Sequence, residues 1–138
     1  MKCNKSFILA YNKLFKYLRD YPDLTEFWDL LSQAILGRLR FLIETKGIAG
    51  MVEYWSDTLL AEGADCTIAV SLGKEKGLVI TMSECPSLAK IKEAGDTPCF
   101  GYCTHCEILY STLLKEYGYS YEQIGYNKGC VIHIKEIK

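Results

Sequence analysis

Sulfur-bearing side chains are concentrated in one stretch of this chain of 138 residues. Four of its seven cysteines lie between positions 85 and 106, namely Cys85, Cys99, Cys103 and Cys106. A cysteine thiolate is both a good nucleophile and a ligand for zinc or for an iron–sulfur cluster. Any chemistry that the chain performs is therefore expected to involve this segment.

Two helices are predicted to begin within the same segment. Pro86 is typical of the first turn of a helix, which places Cys85 at the amino-terminal end of the first one. Thr104 and Glu107 have the spacing of a capping box, so the second helix is expected to begin there. Both predicted helix starts therefore lie beside cysteines.

The capping box places Cys103 just before the second helix, with His105 and Cys106 in its first turn. Unpaired backbone N–H groups and the positive end of the helix dipole favour a thiolate over a thiol. Cys106 also belongs to an apolar stripe of the helix, whereas Cys103 does not. Cys103 is therefore predicted to be the reactive or ligating thiol.

One interpretation of the segment is a metal site. Cys103 and Cys106 have the C-x2-C spacing of many zinc and iron–sulfur sites, and Cys99 and Cys85 would complete four sulfur ligands. The spacing of Cys99, Cys103 and Cys106 also equals the cluster motif of radical S-adenosylmethionine enzymes. Too little chain follows Cys106 for the barrel of those enzymes, so that class is not expected.

Three other interpretations remain open. Cys103 and Cys106 could form a dithiol redox pair, although no thioredoxin-like pattern of strand, helix and strand precedes them. Cys103 could instead be a catalytic nucleophile, with His105 or Glu107 moving the proton. In the third interpretation the cysteines are inert core residues, since Cys106 shares one helical stripe with Leu109.

The hydrophobic pattern predicts a single α+β domain over residues 1–138. The predicted order is three helices, a β-hairpin, two helices and a second β-hairpin, which gives an antiparallel sheet packed on helices. The predicted helices are Asn4–Arg19, Asp23–Lys46, Ile48–Ala61, Pro86–Ala94 and Thr104–Tyr117. The first hairpin joins the alternating segments Thr67–Leu72 and Leu78–Met82 through the loop Gly73–Gly77, and the second joins Tyr119–Tyr126 and Cys130–Ile137 through Asn127–Gly129.

The remaining cysteines and the second histidine are expected to have structural or incidental positions. Cys66 and Cys130 begin strands in phase with the apolar residues, which predicts that both are in the core. Cys3 lies near the free end of the chain. His133 alternates onto the opposite face from Ile132, where a solvated histidine is expected.

Composition restricts the classes of partner. Sixteen Lys and Arg against seventeen Asp and Glu leave a formal charge of -1, which provides no broad basic surface for nucleic acid. The most apolar longer stretch, 34–43, is interrupted by two arginines and is shorter than the roughly 20 residues that span a bilayer. The odd number and uneven spacing of the cysteines do not resemble a secreted disulfide framework. We therefore expect a cytoplasmic protein with a small-molecule substrate or ligand, and with neither nucleic acid nor a membrane as partner.

The region from Cys85 to Ile134 resembles the L-2-amino-thiazoline-4-carboxylic acid hydrolase-like family. The resemblance is carried by the stretches Cys85-Pro86-Ser87-Leu88-Ala89 and Cys103-Thr104-His105-Cys106-Glu107, with Cys130 in the last hairpin. More distantly, the helices followed by a cysteine-bearing terminal hairpin look like the 4-vinyl reductase type of small-ligand domain. The resemblance implies a site at Cys85, Cys103, His105 and Cys106, whereas Cys99 enters from spacing alone.

This resemblance implies hydrolysis of a small sulfur or nitrogen heterocycle. The leading hypothesis is a cysteine-centred hydrolase that acts on a small cyclic amidine or thiazoline carboxylate. A helix terminus would hold the carboxylate of the substrate, and a thiolate or a metal-bound water would attack the C=N carbon. The alternative is a non-catalytic module in which the same sulfurs bind zinc, an iron–sulfur cluster or a small ligand, as a sensor or carrier.

Overall fold

The computed structural model describes residues 5–21, 23–99, 102–125 and 129–137. This described part contains six helices and one antiparallel sheet of four strands, so the predicted α+β class is confirmed. The elements are α1 (Lys5–Leu18), α2 (Thr25–Ile35), α3 (Gly37–Lys46), α4 (Ile48–Glu62), β1 (Cys66–Ser71), β2 (Gly77–Met82), α5 (Pro86–Glu93), α6 (Tyr102–Glu116), β3 (Tyr119–Ile124) and β4 (Cys130–Glu136). Cys3, Tyr126 and the turn residues Asn127 and Lys128 lie outside the described residues.

Helices α4 and α6 pack against the sheet, and the other helices pack mainly on helices. In α1 the buried residues Ile8, Tyr11 and Phe15 recur at intervals of three and four, as an amphipathic helix requires. Helix α4 is followed by Gly63, whose φ of 73° suits glycine better than any other residue. Within the described residues, no helix combines the length and the apolar character needed to cross a membrane.

The two hairpins lie side by side in one sheet, in the order β1-β2-β4-β3. Each hairpin pairs its own strands, and β2 pairs with β4 in antiparallel fashion. In this register Met82 of β2 lies opposite Cys130 of β4 on one side and opposite Cys66 of β1 on the other. Cysteines from both hairpins therefore lie at the same end of the sheet, next to the start of α5.

The single long helix predicted over Asp23–Lys46 is wrong, because the segment forms two helices separated at Leu36. Leu36 has φ -94° and ψ 16°, and its side chain is buried in the core. The next residue is Gly37, and glycine in a helix interior costs about 1 kcal/mol relative to alanine. The break between α2 and α3 therefore falls beside the residue with the weakest helix propensity. It also places the side chain of Leu36 in the core. Helix α2 also begins at Thr25, whose N–H donates to Asp23 Oδ1 at 3.0 Å.

Helix α6 begins at Tyr102, two residues before the predicted start at Thr104. The Tyr102 N–H donates to the Cys99 carbonyl at 3.0 Å, and the tyrosine ring is buried. Because this ring packs in the core, the first helical turn is drawn inward with it. Cys103 consequently lies within that turn and is only 9% exposed, so its predicted position outside the apolar core is wrong. The capping box predicted at Thr104 and Glu107 is wrong as well.

Cysteines at the two strand starts differ in burial. Cys130 is in the core, as predicted, whereas Cys66 is only half-buried because β1 is an edge strand. Leu72, the last residue of the predicted strand, lies beyond β1 and is exposed. His133 is half-buried on the face opposite Ile132, which agrees with the predicted alternation.

Helices α3 and α4 cross so closely at Gly50 that a side chain there has no room. A Cβ at this position would overlap the carbonyl oxygen of Leu42, whereas a Cβ at Gly37 would meet no atom within 4 Å. We predict that Gly50→Ala lowers the free energy of unfolding by about 1–3 kcal/mol, the usual cost of overpacking. Gly37→Ala should raise it by about 0.5 kcal/mol, because alanine restricts the unfolded chain. Urea denaturation of both variants tests the pair, and equal stability would contradict the close crossing.

Candidate functional site

Four cysteine side chains line one cavity at the end of the sheet where Met82 and Cys130 pair. They are Cys85, Cys103, Cys106 and Cys130. The cavity has a volume of about 160 Å³. Since one water needs roughly 10–15 Å³ on a comparable measure, the space suits a small molecule. Most of the lining side chains are aliphatic or aromatic.

Three separate chain segments bring these thiols together. Cys85 directly precedes α5 in an extended conformation, with Pro86 in the first helical turn, as the sequence predicted. Cys103 and Cys106 lie one turn apart on α6, and Cys130 begins β4. None of the six described cysteines forms a disulfide. The cavity is therefore lined by reduced thiols from remote parts of the sequence.

Burial keeps most of these thiols protonated. It raises the pKa of Cys106 well above the ordinary value and that of Cys130 to about 11. Burial also raises the pKa of Cys85, and the N–H groups of Ser87 and Leu88 at the start of α5 oppose it only in part. The helix terminus was expected to activate Cys85, but the loss of solvent has the larger effect.

Cys103 is central in this group of thiols. A negative charge on its sulfur raises the pKa of Cys85, of Cys106 and of Cys130, so it lies near all three. It also adds to the raised pKa of Cys99, which burial dominates. The Cys103 sulfur is therefore within electrostatic range of the other three thiols that line the cavity.

His105, which also belongs to α6, packs among aromatic side chains. Its ring stacks on Phe15 with centroids 4.5 Å apart and meets the edge of Tyr102 at 4.5 Å. Its Nε2 lies 3.6 Å from Cys106 Sγ, whereas its Nδ1 is buried and makes no hydrogen bond within the described residues. Burial lowers the pKa of His105 to about 4, against a weak opposing effect of the Tyr102 backbone. The imidazole is therefore neutral at pH 7.

Two of the residues predicted for the site do not line the cavity. Cys99 is buried beside α1, where its N–H donates to Asn12 Oδ1 at 2.7 Å. Glu107 is half-buried and is also absent from the wall of the cavity. In the described part of the chain, no three His, Cys, Asp or Glu side chains form a group that could hold a metal ion. The four-cysteine metal site thus stays a prediction.

Three further polar residues of the cavity wall, all on α4, were not predicted as site residues. Tyr54, Thr58 and Glu62 follow one another at intervals of four along α4, so they share one face of that helix. The Tyr54 and Tyr110 hydroxyls lie 3.3 Å apart. Glu62 is close enough to raise the pKa of Cys85 and of Cys106, although burial is the main cause in both. The spacing of four residues could have placed Tyr54, Thr58 and Glu62 on one helix face. Nothing in the sequence, however, indicated that α4 packs beside the cysteines.

Comparisons of this chain with protein-family models, with curated proteins and with solved structures found no match. The resemblance to the hydrolase-like family consequently stays a prediction. The residues that line the cavity are the basis for the function proposed below.

The buried imidazole predicts an acid-labile fold. The neutral form of His105 is favoured in the folded state, so its contribution is complete above the unfolded pKa of 6.5 and is lost as the pH falls through about 4. We expect this residue to account for about 3 kcal/mol of the stability lost over that interval. Urea unfolding at pH 7 and pH 4 should show a smaller loss for His105→Phe than for the wild type. The control His133→Gln, on the other face of the sheet, should lose as much as the wild type; equal losses for all three would contradict this role.

Proposed function

We propose that this chain is a cysteine-centred hydrolase that acts on a small cyclic amidine or thiazoline carboxylate. The observation that supports it best is the convergence of four thiols, a neutral imidazole and a carboxylate on one cavity of small-molecule size. Reactive groups from distant segments that share a mostly apolar cavity are typical of ligand and active sites. The resemblance around Cys85 and Cys103 favours the same class of substrate.

Cys103 is the proposed nucleophile. It lies in the first turn of α6, lines the cavity and is within electrostatic range of the other three thiols. A thiol attacks efficiently only when a base removes its proton. His105 and Glu62 both line the cavity, whereas Glu107 does not line it. We therefore assign proton transfer to His105 and Glu62.

For a 2-aminothiazoline ring the proposed reaction has two steps. The Cys103 sulfur adds to the amidine carbon, the bond from that carbon to the ring sulfur breaks, and the thiol proton passes to the departing sulfur. An S-linked isothiourea then remains on the enzyme. Water adds to the same carbon, the bond to Cys103 breaks and the thiol regains a proton from the water. The product is an open-chain urea that carries a free thiol.

The alternative is a non-catalytic module that binds a small ligand or a metal at the same thiols. The raised pKa values of Cys85, Cys106 and Cys130 favour it, because a neutral buried thiol is a poor nucleophile. Zinc or an iron–sulfur cluster would require these side chains to rearrange, since the described residues form no ready group of ligands. A sensor or carrier of a small apolar ligand requires no rearrangement.

The first test measures turnover by loss of the thiazoline ring and chromatographic detection of the urea product. Cys103→Ser should lower kcat/KM by at least about 100-fold, since a serine hydroxyl is a far weaker nucleophile at neutral pH. Cys66→Ser is the matched control, because Cys66 lies on the edge strand and outside the cavity wall. Undiminished turnover in Cys103→Ser would exclude this cysteine as the nucleophile.

The second test separates the enzyme from the binding module. Protein purified without an affinity tag is analysed for zinc and iron, and each cysteine is then alkylated at several pH values with readout by mass spectrometry. The hydrolase predicts metal-free protein in which Cys103 is labelled fastest, while Cys130 is protected until unfolding because its pKa is about 11. Near-stoichiometric metal would support the module, and protection of Cys103 equal to that of Cys130 would indicate core packing.

A further inference from the structure

Strand β1 forms one edge of the sheet, and its outer edge pairs with no strand of the described residues. On its other side it pairs with β2 residue by residue, without a bulge. Natural proteins usually protect such an edge with a charged side chain, a proline, a bulge or a very short strand. Strand β1 has six residues and none of these features. An unprotected edge of this kind is suited to pairing with a strand of another molecule.

Two backbone hydrogen bonds show which groups of β1 face this open edge. The Ser83 N–H donates to the Asp65 carbonyl at 3.4 Å, so the backbone of residue 65 is directed towards β2. Since backbone groups alternate in direction along an antiparallel pair, residues 67, 69 and 71 also face β2. The bond from the Glu136 N–H to the Lys76 carbonyl, at 2.9 Å between β4 and the start of β2, requires the same alternation. The N–H and C=O groups at the open edge are those of Cys66, Ile68 and Val70.

The side chains along the open edge are apolar and partly exposed. Ile68 and Val70 lie opposite buried residues of β2 and so point to the face of the sheet that carries the core. Val70 is nevertheless 45% exposed, and Leu72, directly after the strand, is 72% exposed. Strand β3 at the other edge of the sheet carries the charged side chain of Glu122, whereas β1 carries no charge. The edge formed by β1 is therefore the one suited to association.

A second copy of β1 complements this edge when the two strands run antiparallel. With Ala69 opposite Ala69 of the second copy, Ile68 lies opposite Val70 and Cys66 lies opposite Leu72. Each of these pairs occurs twice because the arrangement is two-fold symmetric. The residues whose backbone groups face the open edge are then hydrogen-bonded to one another, and their apolar side chains meet on one face.

Charge complementarity favours the same arrangement. Asp65 directly precedes β1 and Lys74 follows it in the hairpin loop, so the two ends of the edge carry opposite charges. Both residues are exposed, and neither forms an ion pair within the described part of the chain. Because the two copies run in opposite directions, Asp65 of each copy is brought towards Lys74 of the other. A parallel arrangement would place like charges together.

We propose that the chain forms a two-fold symmetric dimer in which the β1 strands pair antiparallel about Ala69 and join two sheets into one continuous sheet. Residues opposite each other in an antiparallel pair point to the same face, so the helix-covered faces of both copies lie on one side. One strand from each copy makes a small interface, and the dimer is therefore reversible, with a Kd of about 1–100 µM. Neither Ile68, Ala69 nor Val70 lines the cavity, so this inference is independent of the proposed function.

The first test is analytical ultracentrifugation in reducing solution between about 1 and 500 µM protein, a range that spans weak complexes. The wild type should shift with concentration from a monomer of 15.7 kDa to twice that mass. Val70→Lys should raise the Kd at least about tenfold, because a charged side chain on an edge strand opposes pairing. Ile124→Lys is the matched control, since Ile124 is equally exposed, at 51%, on the opposite edge strand. Its Kd should equal that of the wild type, and the circular dichroism of both variants at low concentration should match it.

The second test determines the register by cross-linking in a Cys66→Ser background. Ala69→Cys should give a covalent dimer on mild oxidation with diamide, with the cross-link mapped by mass spectrometry to position 69 of both copies. The two Cα atoms would be about 4.5 Å apart, a separation that a disulfide can span. Thr67→Cys is the control on the same face of the strand. Position 67 lies opposite position 71 of the second copy, so its two sulfurs would be roughly 13 Å apart and should not cross-link.

Three results would overturn the dimer proposed here. One is a wild type that stays monomeric over the whole range of concentrations. Another is a Kd that Val70→Lys leaves unchanged, or that Ile124→Lys raises by as much. The third is a dimer in which Ala69→Cys forms no cross-link between the two copies, or no more than Thr67→Cys does.

Discussion

The pairing of β2 with β4 is the contact on which the rest of the structure depends. It joins two hairpins that are distant in sequence, and it places Cys130 opposite Met82, three residues before Cys85. Glycines permit the close approach at both ends of this ladder. A Cβ at Gly77 would overlap the Ile134 carbonyl oxygen, and a Cβ at Gly129 would overlap the carbonyl oxygens of Met82 and Ser83. Without this pairing the cavity would lose one of its walls.

Burial gives the cavity an unusual chemical character. The same loss of solvent raises the pKa of the Cys106 thiol and lowers that of the His105 imidazole, and both shifts favour the neutral form. The thiol of Cys106 and the imidazole of His105 are thus held without charge in the cavity wall at pH 7.

The sequence predicted the features that depend on local pattern. Alternating apolar residues predicted both hairpins, and Pro86 predicted the start of α5 with Cys85 beside it. The break at Leu36 and the early start of α6 were missed, because each depends on a side chain that turns into the core. The local sequence pattern was compatible with more than one helix boundary, and tertiary packing determined which boundary formed.

The candidate site, like the fold, could be predicted only in part from local sequence. The clustering of thiols around Cys103 could be inferred from spacing, and the structure places three of the four predicted cysteines on one cavity. The participation of Cys130 and Glu62 could not be inferred, since it arises from the β2–β4 register and from the orientation of α4. Cys99 is close in sequence to Cys103 but lies against Asn12, outside the cavity wall. Proximity in the chain was therefore an incomplete guide to proximity in space.

The register that places Cys130 beside Met82 also has a consequence for the order of folding and oxidation. Contacts between remote segments form late, because closing a long loop costs entropy before the contact returns any stabilisation. Until β4 docks on β2, the cysteines that later line the cavity are open to solvent and to one another. An oxidant that acts on the incomplete fold would therefore trap mismatched cross-links among the seven cysteines of the chain. Recovery of this protein from the unfolded state should thus depend on a reducing solution until the last strand is in place.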